Sequence, residues 1–466
     1  MNERKFLEQI RAGSHQSSKF FFNRPHLSRR HFFQMAGAGV TGSFLAPGVL
    51  AAGDVVAATA SAVPINKARN VIFILLSGAP SHIDTFDFKP TPSTPLNLLK
   101  PEDISGIMFP TGLMPKIATK LGDIAIVRGA SSKALQHNLA QDWTQIGRSP
   151  AAVLGDIAPN AGSVVALEKE KERKQGQVFP TFLALNSQSA IGSGYLAASY
   201  EPLKIVPATN GLPDTTHAET GGQTRFEGRF SLLKTLDGEL RTAAPNGVAM
   251  KDMAGFYEAG RAMMYNPQVD QAFRFTADEA ARYGTSGFGN ACLVAAKALA
   301  ANGGTRYVMI TLGSWDHHQN IYDANNLPRM STQFDNAFAA LIDDLKASGQ
   351  FNETLIVVQG EFGRTTGAIT AAAGRDHLLQ QFVLFAGAGV RGGRTLGATN
   401  AAGAFTTDYA WSENRDVKPE DTEATIYSAL GIDWTTIRYD DPFGRGFEYV
   451  ADASKGLYKP LHELWS

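Results

Sequence analysis

The 466 residues carry 43 Lys or Arg against 44 Asp or Glu, and the net charge of −1 with no basic run gives no footprint for nucleic acid. One cysteine excludes an intrachain disulfide, and a hydrophobic fraction of 44% is ordinary for a globular chain with a large core.

Ser28-Arg29-Arg30-His31-Phe32-Phe33 forms a twin-arginine pattern, followed by a mildly apolar stretch from Met35 to Ala52 and small residues at Ala58-Thr59-Ala60 and Ala60-Ser61-Ala62. Charge, apolar stretch and small residues in that order predict a twin-arginine signal peptide and linker over 1–62. The alternative is an Arg-Arg pair before a core helix. Pro47 and a Gly/Ala-rich composition make the apolar stretch too weak for a membrane anchor, and no later segment has the apolar run needed to span a bilayer. The expected product is a periplasmic or secreted protein of about 400 residues, one large α/β domain over 63–466.

Val71 to Leu76 reads as a buried strand that empties into Ser77-Gly78-Ala79-Pro80-Ser81-His82-Ile83-Asp84. In open α/β sheets, ligands sit at the carboxyl ends of strands. Leu113 to Leu121 has helical spacing, Gly122 stops it, and Ile124 to Val127 is the next strand. His137-Asn138 opens a helix ending near Gly147-Arg148, and a helix start favours an anionic ligand. From about 167 to 281 the periodicity is poor, which reads as an inserted irregular region or cap over the sheet. Gly289 to Ala301 is a helix containing Cys292 in an apolar run, the setting of a buried core thiol. Tyr307 to Leu312, Thr354 to Val358 and Phe382 to Phe385 are further strands, with a helix over Phe334 to Leu345. The alternation predicts a mostly parallel sheet with helices on both faces.

Three later loops repeat the polar pattern. Asp316 and His318 follow Leu312 and form a metal half-site or a helix cap. Glu361 and Arg364 follow the next strand; Glu361 is a metal ligand or base, and Arg364 clamps an anion or pairs with Glu361. His377 precedes the strand around Phe382, with Arg375 and Asp376 orienting the imidazole or holding an anion. Gly387-Ala388-Gly389-Val390 lacks the third glycine of a dinucleotide fingerprint.

The order of the twin arginines, Leu76 to Asp87, Gly313 to His318, Gly360 to Thr365, Gly374 to His377, Val390 to Gly393 and Ala424 to Ile432 resembles the bacterial exported family known as domain-of-unknown-function family 1501. That family looks like a distant branch of the alkaline phosphatase and sulfatase superfamily. The resemblance implies an alkaline-phosphatase-like sheet, one or two divalent ions (zinc, manganese or calcium), and hydrolysis of a phosphate or sulfate ester on an anionic small molecule or polysaccharide. It places Asp316, His318 and His377 at the first metal, with Asp84 and Glu361 as second-metal ligands or a base. Arg364, Arg375 and Asn138 would hold the substrate. Phe362 stands where the superfamily has a histidine, which weakens the second metal site. His137 stands where the superfamily has its nucleophile and becomes an acid, base or unconventional nucleophile, since Ser131 and Ser132 are offset. The rival expectation is a non-catalytic periplasmic binding or interaction protein on the same scaffold.

Overall fold

The computed structural model describes residues 62–213, 215–216, 220–242 and 248–466. The Arg29-Arg30 segment lies outside the described residues. The core is an eight-stranded sheet. In chain order its strands are β1 (Asn70–Leu76), β2 (Ile124–Ser131), β3 (Phe182–Leu185), β4 (Leu203–Ile205), β5 (Tyr307–Leu312), β6 (Thr354–Gly360), β7 (Gln380–Ala386) and β8 (Arg394–Leu396). Their order across the sheet is β8-β2-β7-β6-β1-β5-β3-β4. Every pairing is parallel except those of β7, which runs antiparallel to both β2 and β6.

Side-chain alternation along β1 explains why the sheet is covered on both faces. Ile72, Ile74 and Leu76 join one apolar cluster with Phe288, Leu293, Phe334 and Phe338. Val71, Phe73 and Leu75 join a second cluster with Val164, Val165, Tyr427 and Leu430. The first cluster is roofed by helices Gly287–Ala300 and Leu327–Ala347, the second by Ala161–Lys169 and Pro419–Ala429. Cys292 is fully buried in the first cluster, and burial pushes its thiol up.

Two expectations change. The Leu113 to Leu121 helix shrinks to Pro115–Ala118 plus a 3-10 turn at Leu121–Asp123, although Leu113, Ile117 and Leu121 are all buried as the spacing implies. Pro115 sets the helix start, and the helix ends at Ala118 with Thr119 as its cap, so Gly122, the expected stop, lies inside the 3-10 turn that follows. The 167–281 stretch is also more regular than it reads. It supplies β3 and β4, which extend the parallel sheet from β5, and the helices Gly222–Thr242 and Val248–Met263. Strands of four and three residues are too short for a periodic signal. No described helix is long and apolar enough to cross a membrane.

Candidate metal centre

The sheet topology decides which polar residues meet. In the register of β1, Leu76 lies beside Gly360 of β6 and Leu312 of β5, so three loops leave the sheet at one level. β7 runs the other way, so its amino end, and the residues just before it, reach that same edge. His377 is thereby brought across to Arg364, its partner in a two-residue antiparallel ribbon. The edge is completed by helix α1 (His137–Ile146), which follows β2.

Each connection is tightly constrained. Gly78 has φ +101°, and a Cβ there would lie 2.6 Å from the backbone nitrogens of Trp315 and Asp316, so the β1 and β5 loops pack backbone to backbone. Ala79, Ser314 and Ala373 take left-handed backbone conformations without being glycine, each costing on the order of 1–3 kcal/mol. Helix α1 is started by the Gln136 side chain, which accepts from the Leu139 N–H at 2.7 Å.

His137, Asp316, His318 and His377 offer one ligand atom each, all within 4.8 Å of one another. The three imidazoles share one arrangement. His137 Nδ1 meets Glu361 Oε1 at 2.7 Å, His318 Nδ1 meets Asp376 Oδ1 at 2.9 Å, and His377 Nδ1 donates to the Leu135 carbonyl at 2.6 Å. An oxygen acceptor on Nδ1 fixes the tautomer that leaves the Nε2 lone pair free, as in metal-binding histidines. The Nε2 atoms of His137 and His318 lie 3.3 and 3.0 Å from Asp316 Oδ1, and that of His377 lies 3.0 Å from His318 Nε2. Phe362 backs the group, its ring 4.8 Å from that of His137 and 4.5 Å from that of His377.

Electrostatics follow from these contacts. The Glu361 hydrogen bond raises the His137 imidazole above its ordinary value despite burial. Burial lowers His377. Burial opposes ionisation of Asp316, yet Arg364 beside it holds its carboxyl below the usual range. Arg364 is buried, with Nη2 2.5 Å from Asp316 Oδ1 and Nη1 3.2 Å from His318 Nε2.

Asp316, His318, His377 and His137 are therefore brought together, the last as a member of the cluster. His317 is not a member; burial pushes its imidazole down to about 4. Glu361 stands one layer out. Its Oε1 is taken by His137, the Gly78 N–H at 2.8 Å and Gln141 Nε2 at 3.1 Å, so it orients an imidazole; its Oε2 is buried without a hydrogen-bond partner among the described residues, and Glu361 is not one of the four clustered residues. Asp84 and Arg375 belong elsewhere. Both are fully buried and paired at 2.7 Å, with Asp84 also bound by Ser81 and Tyr322. Arg375 spends its other donors on the Thr365 and Gly367 carbonyls and Tyr322. The expected second-metal carboxylate and anion clamp thus form one internal ion pair beneath the loops. Asn138 is exposed at the start of α1, outside the cluster. Ser131 is held by Asp416 and Lys418, and Ser132 by the Ala134 carbonyl.

The sequence reading missed Gln141 and Ser77, which extend the Glu361 network through a 2.9 Å hydrogen bond. Gln141 has a findable signal, four residues after His137 on the same helix face. The Leu135 carbonyl has none.

Solved structures similar to the chain include that of Ps i-CgsB, at 12% identity and TM-score 0.40, covering 85% of this chain and 77% of that one. A protein in the alkaline phosphatase superfamily from Vibrio parahaemolyticus aligns at 11% identity and TM-score 0.35, over 80% and 69% of the two chains. The PsFucS1 sulfatase from Pseudoalteromonas sp. aligns at 12% identity and TM-score 0.35, over 80% and 68%. No curated protein matches the sequence. The family described as "protein of unknown function (DUF1501)" matches residues 68–455, a span that contains the whole sheet and every residue of the metal centre, and the chain belongs to that family.

Proposed function

We propose that this protein is an exported, metal-dependent hydrolase of a phosphate or sulfate ester. The observation that carries the reading is the shared arrangement of His137, His318 and His377, each held through Nδ1 with Nε2 turned to one point beside Asp316. Three nitrogens and one carboxylate suit zinc or manganese better than calcium, which takes six or more oxygens. A divalent cation held there supplies Lewis acidity toward an ester oxygen. Glu361 and Asp376 keep two imidazoles in the binding tautomer, and Phe362 closes the back of the site to water. Arg364, expected as an anion clamp, is buried with its donors on the Gly78, Ala79 and Arg375 carbonyls, on Asp316 and on His318, so it holds Asp316 and the surrounding loops in place. With Ser131 and Ser132 engaged elsewhere, the reading favours direct attack by water over a covalent serine route. One ion is expected, since Asp84 and Glu361 do not form a second group of ligand atoms.

Arg364 also supports a second reading. Its guanidinium already holds two of the four cluster residues without an ion, so a non-catalytic binding protein with a metal-free cluster is the rival. Elemental analysis decides between them. About one zinc or manganese per chain in the wild type, lost in folded Asp316→Ala and His377→Ala variants, with turnover in a screen of aryl phosphates and sulfates, is the expected result. A metal-free, folded wild type leaves the non-catalytic binding protein in front.

Export is part of the same proposal and rests on Arg29-Arg30 and the small-residue sites after it. A reporter fused to residues 1–62 should reach the periplasm, and an Arg29→Lys, Arg30→Lys pair should hold it in the cytoplasm.

A further inference from the structure

The four clustered residues do not offer their atoms on equal terms, and Arg364 makes the difference. Its Nε donates to the Ala79 carbonyl, its Nη1 to the Arg375 carbonyl and His318 Nε2, and its Nη2 to the Gly78 carbonyl and Asp316 Oδ1. Every N–H of the guanidinium thus has an acceptor. Backbone carbonyls of the edge loops anchor it, and the side chain is 1% exposed, so the group is fixed in place.

His318 and Asp316 meet that guanidinium with different means. The Asp376 carboxylate at 2.9 Å holds the His318 proton on Nδ1, so Nε2 carries a single lone pair, and Arg364 Nη1 donates into it at 3.2 Å. One lone pair cannot serve a guanidinium and an ion together. A carboxylate has about four lone-pair sites on two oxygens. Asp316 therefore holds Arg364 at 2.5 Å and keeps capacity for a cation.

The other two imidazoles have no such competitor. His137 Nε2 is buried and without a hydrogen-bond partner among the described residues, 3.3 Å from Asp316 Oδ1. Buried nitrogens are rarely left so. His377 Nε2 faces His318 Nε2 at 3.0 Å. With Nδ1 of each ring donating to an oxygen, neither of these nitrogens carries a hydrogen to share, and the His377 lone pair is unused. Exposure divides the rings in the same way: the His137 and His377 side chains are 24% and 23% exposed, that of His318 39%.

We propose that the ion is held by His137, His377 and Asp316 alone, and that His318 is a positioning residue tied to Arg364, leaving a fourth coordination position open on the more exposed side of the centre. Three protein ligands with one open position distinguish catalytic from structural zinc. The inference rests on the metal-dependent reading above and narrows its ligand set, with room beside the ion for a water or an ester oxygen.

The test is the zinc affinity of the full chain, by competition with a chelator of known affinity, beside the cobalt(II) absorption spectrum of each protein. His137→Ala and His377→Ala should bind at least about a hundredfold more weakly than the wild type, while His318→Ala stays within about threefold of it with its cobalt bands unmoved. Asp376→Ala, which removes an exposed carboxylate bonded to His318, should also keep the wild-type affinity. Thermal midpoints of the metal-free proteins separate loss of a ligand from loss of the fold. A loss in His318→Ala matching that of the other two histidine variants, or shifted cobalt bands, would overturn the proposal while leaving a metal centre of four ligands. A wild type that binds neither ion would overturn the metal-dependent reading and the proposal with it.

Discussion

Glu361 and Asp84 are both buried carboxylates at the same sheet edge, and their partners give them different work. Glu361 holds an imidazole by Nδ1, so Glu361→Ala should leave the four ligand atoms present but His137 free to rotate. A loss of roughly 10–100-fold in zinc affinity is expected, read by competition with a chelator of known affinity. Asp84 faces only Arg375, Ser81 and Tyr322. Arg375→Ala would strand its charge in the interior and should cost about 3–5 kcal/mol in denaturant unfolding, while the folded fraction keeps its metal. Loss of metal without loss of stability would instead return Asp84 to the ligand set. That both carboxylates matter was legible from their place after apolar strands. Which one reaches the imidazoles was not, since Glu361 and His137 are 224 residues apart and no local pattern encodes that pairing.

Among the elements, α1 brings His137 and Gln141 to the site, and its far end is as constrained as its start. Gly147 caps the helix at φ +54°, and a Cβ there would fall 1.5 Å from Glu423 Oε2 on the Pro419–Ala429 helix. Gly147→Ala should therefore destabilise the fold by about 2 kcal/mol or more, through the left-handed backbone and the clash together. A fall in the thermal midpoint checks it, and an unchanged midpoint would mean that the two helices are not packed as described. The stop at Gly147 was readable because helices end in this way. The strands β1, β2, β5, β6 and β7 were readable as apolar runs, whereas β3, β4 and β8 are only three or four residues long.

At the scale of the whole molecule, the buried helix Pro419–Ala429 makes stability depend on pH. Burial pushes the Glu423 carboxyl up from 4.5 to about 8, even though the Tyr427 hydroxyl donates to it at 2.7 Å. Between those values the folded chain keeps a proton that the unfolded chain has released. The stability this supports is full below 4.5 and is lost as pH rises through about 8. Glu423→Gln keeps the hydrogen bond and removes the titration, so its thermal midpoint should fall less than that of the wild type over that window. Parallel curves for the two proteins would refute the linkage. The sequence by itself determined the α/β class, the sheet buried on both faces and the edge where polar residues gather, because alternation, apolar runs and helix stops are local and periodic; the family was legible from the order of its short motifs. Only the tertiary structure decided the rest. The antiparallel course of β7 carried His377 to the other imidazoles, a backbone carbonyl fixed its tautomer, and the Arg375 pair drew Asp84 away. Each is a choice of partner between distant segments, settled by three-dimensional proximity and burial.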